Sequence, residues 1–324
     1  MPVVTQNTTV FRFAVRGWFV PIGISHTAAL LTLLAFAGSW HWYLETLSHF
    51  RVHYLVLLVI CGTLFWLASK WKQAAYAVLL ASVNLMVVLP LYRVPAGVHP
   101  RGNSFTVVAA NVQFSNQKRG RLLDYVRRTS PDWVALLEVT PSWVRTLRPL
   151  DASYPYSLTV PRPGGFGMAL YSRHPWSDAR TIPLGDAADY CLRARTRNAG
   201  SKWTLFVVHT ASPISAQRVV SRNHQLRCLA ELVQRETDPV VIVGDLNTTS
   251  WSPAFTDLLS QTRLLDSRRG WGVQPSWPGT YSSLGIPIDH CLVSAEIAVL
   301  NRKLGVDVGS DHLPVFVELA FQRR

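Results

Sequence analysis

The sequence of 324 residues predicts three transmembrane helices followed by an α/β domain. The first observation behind this prediction is that the first hundred residues contain three long stretches without a charged side chain. The second is that the remainder alternates short apolar runs with segments of helical periodicity, which is the pattern of an α/β fold. The third is that six of the apolar runs carry Asp, Asn, Glu or His at one end, which predicts a site gathered at one edge of a sheet.

The predicted transmembrane helices cover about residues 17–40, 52–69 and 73–92, and none of the three contains Lys, Arg, Asp or Glu. Each is close to the roughly 20 residues that cross a bilayer. A buried helix of this length in a soluble protein would normally show a polar face. Residues 1–92 are therefore predicted to form a membrane anchor, and a lipid bilayer is the first predicted partner.

Basic residues near the helix ends predict the orientation of the anchor. Arg12 and Arg16 precede the first span, and Lys70 and Lys72 lie in the second connection. The positive-inside rule then places the N-terminus in the cytoplasm and the following domain on the periplasmic or extracellular side of a bacterial inner membrane. The triplet at 35–37 resembles a signal-peptide cleavage site, but the uncleaved, multi-pass form is favoured.

A linker is predicted at residues 93–103, which are rich in Pro and Gly, and the domain at 104–324. Residues 101–324 hold 26 Lys and Arg against 18 Asp and Glu, a formal charge of +8. This charge favours a polyanion or an anionic membrane surface as partner, without identifying either. Arg193, Arg195 and Arg197 alternate along a predicted strand and are expected to form a stripe on one face.

Helical periodicity in the domain predicts helices at 118–129, 141–147, 215–236 and 253–259. Its three cysteines, Cys191, Cys228 and Cys291, lack the CxxC spacing of a zinc site. One disulfide among them is open as an alternative, and their spacing does not choose the pair.

Polar residues at the ends of the predicted strands are the candidate site. The run Val240–Asn247 is an apolar strand broken by Gly244, which delivers Asp245 and Asn247. In extended geometry these two side chains would point to the same side, where a carboxylate and an amide can orient a water and bind an oxyanion. Taken alone, Asp and Asn at such positions are equally typical of turns and helix caps.

The same form recurs along the domain. Asn111, Glu138 and His209 end the predicted strands that begin at Phe105, Trp133 and Trp203. Asp289 ends the short run from Ile286, and Ser310, Asp311 and His312 precede the strand at 315–319. Any one of these residues is more readily a cap or turn residue, and it is their number and order that predict a site.

This ordered set of Asn, Glu, His, GDxN, Asp and Ser-Asp-His resembles the endonuclease/exonuclease/phosphatase superfamily. The resemblance covers residues 103 to 320, and its motifs are specific as an ordered set and weak singly. It implies a two-sheet α/β sandwich (DNase I-like) with helices outside and the site at one edge of the paired sheets. It also implies a metal-dependent phosphodiesterase or phosphatase.

Residue by residue, the resemblance implies a division of roles. Glu138, Asn111 and Asp311 would bind Mg²⁺, with Mn²⁺ as the alternative ion, because both prefer oxygen ligands. Asp245 would orient or deprotonate the attacking water, and Asn247 would hydrogen-bond the phosphate. His312, held by Asp289, would stabilise the charge that develops on the phosphate, and His209 would be a second imidazole contact to it.

Two further residues are weaker candidates for substrate binding. Arg162 lies in the glycine-rich loop 161–167, which lacks the spacing of a phosphate-cradling loop, but its side chain could reach a substrate phosphate. Asn116 follows the first predicted strand and is either a turn residue or a second polar contact at the site.

The sequence leaves three functions open. The first is a membrane-anchored, Mg²⁺-dependent phosphodiesterase of the endonuclease type that acts on nucleic acid. The second is the same chemistry on a phospholipid headgroup or small phosphoester, as in the sphingomyelinase-like and inositol-phosphatase-like branches. The third is a non-catalytic membrane-bound binding module. No protein partner is predicted.

Overall fold

The computed structural model describes residues 8–94, 100–198 and 201–322. Clustering of contacts divides the chain into two compact units, Met1–Leu89 and Pro90–Arg324. The division falls just before the predicted linker at 93–103. Part of that linker lies outside the described residues, and the first strand begins within it, at Pro100.

The N-terminal unit consists of helices whose exposed surface is rich in large apolar side chains. Two of its helical segments are long and apolar enough to cross a membrane, Gly17–Ala37 and Trp71–Tyr92. Both coincide with predicted spans, because long charge-free sequence favours a continuous helix. The helices are α1 (Thr8–Leu34), α2 (Trp42–Ser48), α3 (Arg51–Leu67) and α4 (Trp71–Val88).

The predicted middle span differs from the structure. Helix α3 reaches the length of a span only together with α2, and the axes of this pair differ by 60° at the break after Ser48. Helix α2 was not predicted, since its sequence lies in what reads as a polar connection. The unit therefore has two clear candidate spans, or three if the bent pair crosses as one. Arg51, at the bend, is buried and donates to Thr32 O at 3.1 Å.

The second unit is a mixed α/β fold of twelve strands and four α-helices in its described residues. Three of its helices begin directly after a capping residue, since Thr140, Ser215 and Ser252 each accept a backbone N–H three residues on. The helices are α5 (Gly120–Thr129), α6 (Pro141–Leu147), α7 (Ala216–Gln234) and α8 (Pro253–Thr262). The strands are β1 (Pro100–Asn111), β2 (Trp133–Leu137), β3 (Tyr156–Val160), β4 (Met168–Ser172), β5 (Trp176–Leu184), β6 (Asp186–Asn198), β7 (Ser201–His209), β8 (Val240–Asp245), β9 (Leu265–Asp266), β10 (Asp289–Val293), β11 (Ile297–Leu304) and β12 (Val315–Gln322).

The strands form two six-stranded sheets, in the orders β11-β12-β1-β2-β4-β3 and β5-β6-β7-β8-β10-β9. Alternate side chains of both sheets build one buried core between them, around Trp133 and Trp203. The opposite faces are covered by α5 and α6 on the first sheet and by α7 and α8 on the second. This is the two-sheet α/β sandwich that the resemblance implied.

Strand direction brings the polar strand ends to one edge. Strand β1 is parallel to β2, with Asn111 opposite Leu137, and β7 is parallel to β8, with His209 opposite Asp245. The carboxyl ends of each parallel pair therefore lie at the same edge of their sheet. Strand β12 runs antiparallel to β1 and begins at Val315 opposite Ala109, so the residues just before it enter at that edge too.

Asp289 occupies a different place in its strand from the one predicted. It begins β10 and does not end the apolar run from Ile286. Because β10 is antiparallel to β8, its first residue lies opposite Asp245, the last residue of β8. A strand start and a strand end thus deliver two carboxylates to the same edge.

Two arginines of the predicted stripe form ion pairs within the fold. Arg193 and Arg195 both bind Glu236, at 3.3 and 2.9 Å.

The cysteines are all free thiols. Cys191 and Cys291 are buried, Cys191 on the helix-covered face and Cys291 in the core between the sheets, so the alternative of a disulfide between them is not realised.

Candidate active site

Gly244 lets β8 approach β7 closely at the end of the strand. Its φ is +140°, and a Cβ atom there would lie 1.9 Å from Val208 O, so only glycine fits. Asp245 follows and is buried. Asn247 then adopts a left-handed conformation with φ +48°, and its N–H donates to Asp245 Oδ1 at 2.9 Å. This pair forms a tight turn and not the extended pair expected from the sequence, with Asn247 Nδ2 donating to Thr210 O.

One carboxylate oxygen, Asp245 Oδ2, is the point where residues from both sheets meet. Asn111 Nδ2 approaches it to 3.4 Å from the first sheet. His209 Nε2 lies 3.7 Å away on the second sheet, and His312 Nε2 lies 3.8 Å away from the segment before β12. Its other oxygen is held by Asn247, so the orientation of the carboxylate is fixed.

His312 and Asp289 form a buried pair. The His312 Nδ1 atom lies 2.8 Å from Asp289 Oδ2, and this leaves Nε2 directed at Asp245. Ser276 Oγ accepts the backbone N–H of Asp289 at 3.1 Å, and Ser310 Oγ accepts that of His312 at 3.1 Å. The imidazole is therefore held in place through both partners.

Asn111 and Glu138 lie side by side at the end of the first sheet. Asn111 Nδ2 donates to Glu138 Oε1 at 2.9 Å, and Phe114 N donates to Oε2 at 3.0 Å. Glu138 has a φ of +64°, a conformation that non-glycine residues seldom adopt and that is found most often at functional sites. The strain turns the carboxylate out of the strand toward Asn111.

Asp311 lies beside Trp277, whose Nε1 donates to Asp311 Oδ2 at 3.2 Å. Within residues 8–94, 100–198 and 201–322, no Lys, Arg or His forms an ion pair with Glu138 or Asp311. Two carboxylates and an amide without a cationic side chain match the oxygen ligands that Mg²⁺ prefers. The residues present therefore fit a hard divalent ion.

A second group is also close enough to hold a metal ion, namely Asp245, Asp289 and His312, whose ligand atoms lie within 4.8 Å of one another. The short contact between His312 Nδ1 and Asp289 Oδ2 has the length of a charge-assisted hydrogen bond. If Nδ1 donates in this contact, only Nε2 of His312 is left to bind a metal, and it could do so only when it carries no proton.

Burial and neighbouring charges shift the pKa values of the ionisable site residues in different directions. Burial alone lowers the pKa of His312, but the charge and hydrogen bond of Asp289 outweigh it and raise that pKa to about 10. Burial and then the charge of Asp289 raise the pKa of Asp245 to about 7. Burial, with the nearby charge of His312, lowers the pKa of His209 to about 4. A charged His312, a neutral His209 and a carboxyl poised near neutrality follow, which suits general-base chemistry.

The two weaker candidates have clear surroundings. Asn116 is buried, and its side-chain amide donates to Val112 O and Val308 O while its oxygen accepts Lys118 N. These bonds match the turn alternative. Arg162 is half-buried, and its guanidinium lies 4.3 Å from the ring centre of Tyr190. Tyr190 in turn donates to Phe166 O, so Arg162 and Phe166, both in the loop 161–167, share this tyrosine.

Two residues at the site were not singled out from the sequence, Ser276 and Phe166. Ser276 orients Asp289, and Phe166 stacks on the ring of His209 with 5.9 Å between centres. Both lie in loops without any periodic signal. Ser310, which the sequence named within the Ser-Asp-His motif without a role of its own, orients His312.

Comparison with known proteins identifies the family and agrees with the fold. A family model described as the Endonuclease/Exonuclease/phosphatase family matches residues 108–312. A family protein from Bacteroides thetaiotaomicron superposes with a TM-score of 0.60 at 17% identity, covering 69% of this chain and 100% of its own. D. rerio TDP2, complexed with single strand DNA product, superposes with a TM-score of 0.56 at 19% identity, covering 67% and 99%. The human Nocturnin catalytic domain, with bound sulfate anion, gives 0.55 at 17% identity, covering 69% and 97%. A search of curated proteins found no match.

Proposed function

The chain belongs to the endonuclease/exonuclease/phosphatase family, and on that premise we propose that it is a membrane-anchored, Mg²⁺-dependent phosphodiesterase. Its family and fold support hydrolysis of a phosphoester. The observation that carries the finer proposal is the environment of Asp245 Oδ2, which Asn111, His209 and His312 approach from both sheets within 4 Å. A buried carboxylate among these groups is what activation of a water requires.

In the proposed reaction, Asp245 accepts a proton from water as the water oxygen bonds to phosphorus. The P–O bond to the leaving group breaks, and the leaving oxygen takes up a proton, giving a phosphomonoester and an alcohol. His312, charged through its pair with Asp289, stabilises negative charge that builds up on the phosphate oxygens. We assign His209 and the second amide hydrogen of Asn247 to the same oxygens.

We assign the metal to Asn111, Glu138 and Asp311, with Mg²⁺ as the ion and Mn²⁺ as the alternative. Their oxygen donors and the absence of a cationic partner among the described residues support this choice. A bound divalent ion supplies positive charge against the phosphate oxygens. Asp245, Asp289 and His312 are the less favoured metal group, because the raised pKa of His312 keeps its Nε2 atom protonated as well.

We further propose that the N-terminal helices hold the domain at a bacterial inner membrane, with the N-terminus cytoplasmic and the domain periplasmic or extracellular. The two long apolar helices support an anchor. The basic residues Arg12, Arg16, Lys70 and Lys72 support the orientation. Digestion of the domain by protease added to spheroplasts is the expected result, and protection until lysis would contradict this topology.

Two substrate classes fit this chemistry. Nucleic acid is supported by the formal charge of +8 on residues 101–324 and by the DNA product in the D. rerio TDP2 structure. A phospholipid headgroup is the second candidate. The apolar helices favour it, because a chain anchored in a bilayer is close to phospholipids.

The first experiment is hydrolysis by the detergent-solubilised full chain across plasmid DNA, RNA, sphingomyelin, phosphoinositides and a soluble chromogenic diester. We expect turnover with Mg²⁺, its loss in EDTA, and its recovery when Mg²⁺ or Mn²⁺ is returned. Asp245→Ala should abolish turnover, and the exposed Asp257→Ala on α8 is the matched control.

Retained turnover in Asp245→Ala would contradict the role of this carboxylate. Lack of turnover on every substrate, with Mg²⁺ still bound, would favour the third function predicted from the sequence, a binding module.

A further inference from the structure

Large exposed apolar side chains concentrate on the loops at the site edge. Phe114 follows β1, Phe166 precedes β4, Ile214 follows β7, and Trp277 and Leu284 precede β10. We call these five residues the apolar rim. Ile214 is 79% exposed and Leu284 is 68% exposed, so their apolar surface is fully available to a ligand.

Three contacts show that the aromatic members of the apolar rim border the site. The backbone of Phe114 donates to Glu138, the ring of Phe166 stacks on His209, and the indole of Trp277 donates to Asp311. Each aromatic member thus contacts a different site residue.

Cationic side chains lie within the same surface. Arg218, near the start of α7, has its guanidinium 5.7 Å from the ring centre of Phe166 and donates to Ser212 O, two residues before Ile214. Arg162 lies over Tyr190, which holds the backbone of Phe166. Basic side chains beside exposed apolar ones are the pattern of surfaces that bind anionic lipid headgroups while inserting between them.

The residue types of the apolar rim favour a bilayer over a nucleic acid as its ligand. Nucleobases bind by stacking on aromatic rings, and the most exposed members, Ile214 and Leu284, have no ring. Aliphatic and aromatic residues together are typical of the boundary between headgroups and acyl chains. The chain also carries two helices long and apolar enough to cross a membrane, which favours a bilayer over a nucleic acid as the partner.

We propose that the apolar rim inserts into the lipid–water interface and that the substrate is the phosphodiester of a membrane phospholipid. This inference rests on the proposed function and names its substrate class. Water adds to the phosphorus, one P–O ester bond breaks and the leaving oxygen is protonated, so the lipid yields a phosphomonoester and an alcohol. Insertion of the rim presents the headgroup to Asp245 without extracting the lipid.

The test compares an interfacial and a soluble substrate with the full chain. The first is phosphatidylglycerol in mixed micelles with a non-ionic detergent, with its mole fraction varied at constant total lipid and detergent. The second is bis(4-nitrophenyl) phosphate in the same detergent. The variant is Ile214→Ser with Leu284→Ser, which changes the two rim residues whose side chains are assigned no role in the chemistry.

The matched control is Trp271→Ser. Trp271 is as exposed as Trp277, at 38%, but it lines a cavity with Val293 and Ile297, at the far end of β10 from Asp289. We expect the double variant to lose at least about tenfold in kcat/KM on phosphatidylglycerol, through a higher half-saturating mole fraction. Its turnover of the soluble diester and both activities of the control variant should stay unchanged.

Two results would overturn the inference and leave the proposed function standing. One is an equal loss on both substrates in the double variant, which would make the rim structural. The other is hydrolysis of the soluble diester or of a single-stranded oligonucleotide by the unmodified chain without any hydrolysis of phospholipid. Hydrolysis of none of the three would contradict the proposed function itself, and the inference with it.

Discussion

Two buried polar clusters lie on opposite faces of β10, and they begin at consecutive residues. Asp289 points to the face shared by both sheets, where it pairs with His312 beside Asp245. His290 points to the outer face, where Arg268 Nη1 donates to its Nδ1 at 2.7 Å and its Nε2 donates to Thr248 O at 2.8 Å. Both clusters are removed from solvent, yet their chemistry differs.

The outer cluster holds one carboxylate, that of Asp266, near two buried cations, Arg268 and Arg302. Burial alone would raise the pKa of Asp266, but the nearby charge of Arg268 outweighs it and holds that pKa below its usual value. Arg268 also donates to Asp289 O, which ties the cluster to the strand. The cluster fixes the segment after β9, and every member has an assigned partner.

The inner cluster has two carboxylates and one cation, so one negative charge has no cationic partner of its own. Asp245 and Asp289 share a single imidazolium, that of His312, and the pKa of Asp245 is raised to about 7 by burial and by Asp289. The comparison teaches that burial by itself does not distinguish the outer cluster from the cluster that we propose to be catalytic. The number of cations per carboxylate does.

The sharpest test of this difference is Asp245→Asn, which removes the unmatched charge and keeps the shape. We expect turnover of the soluble diester to fall by about 10²–10⁴-fold, because the amide cannot accept the proton of the water. The free energy of unfolding at pH 8 should stay equal or rise, since a buried acid with a raised pKa destabilises the fold when it ionises. A stability loss that accompanies the activity loss would mean that Asp245 is structural.

We expect the opposite result from Arg268→Leu, namely a loss of stability with little change in turnover. This substitution removes the cation that lies 3.7 Å from the buried Asp266 and acts on it most strongly, and we expect a loss of about 3–5 kcal/mol in the free energy of unfolding. Turnover per folded molecule should change little. The exposed Arg269→Leu is the control, and the measurement is urea unfolding followed by activity at low denaturant. A large activity loss with normal stability would erase the distinction between the clusters.

The pH dependence of stability offers the finest test. Burial, with the charge of Arg268, lowers the pKa of His290 to about 3, so the folded state keeps it neutral. Between pH 6.5 and 3 the unfolded chain binds a proton that the folded chain does not, and stability therefore falls as pH falls. We expect His290 to contribute about 1.4 kcal/mol per pH unit in that window. His290→Gln should flatten the slope by this amount, and an unchanged slope would show that His290 is charged in the fold.

Much of the fold could be predicted because its signals are local. Helix α6 has the predicted bounds, since Thr140 and Pro141 mark its start within the local sequence. The two-sheet pairing was implied by the resemblance alone, because strand order depends on contacts between distant residues. The bend between α2 and α3 was missed because its residues read as a polar connection.

The candidate site divides in the same way. Asp245 and Asn111 were named because each ends an apolar run, and the structure brings them to 3.4 Å. That Asp289 begins its strand could not be predicted, because strand polarity at that edge depends on pairing with β8. Ser276 and Phe166 carry no pattern in the sequence, since a single hydrogen bond and a single stacking contact select them.

The return of the chain to its first sheet has a consequence for biosynthesis. Strands β5 to β10 build the second sheet before β12 comes back to lie between β11 and β1. His312 is carried on this last crossing, so the constellation around Asp245 is incomplete on a ribosome-bound chain that lacks β12. On the proposed function, we expect hydrolytic activity only in molecules whose translation has passed this strand, and we expect premature termination products to be inert.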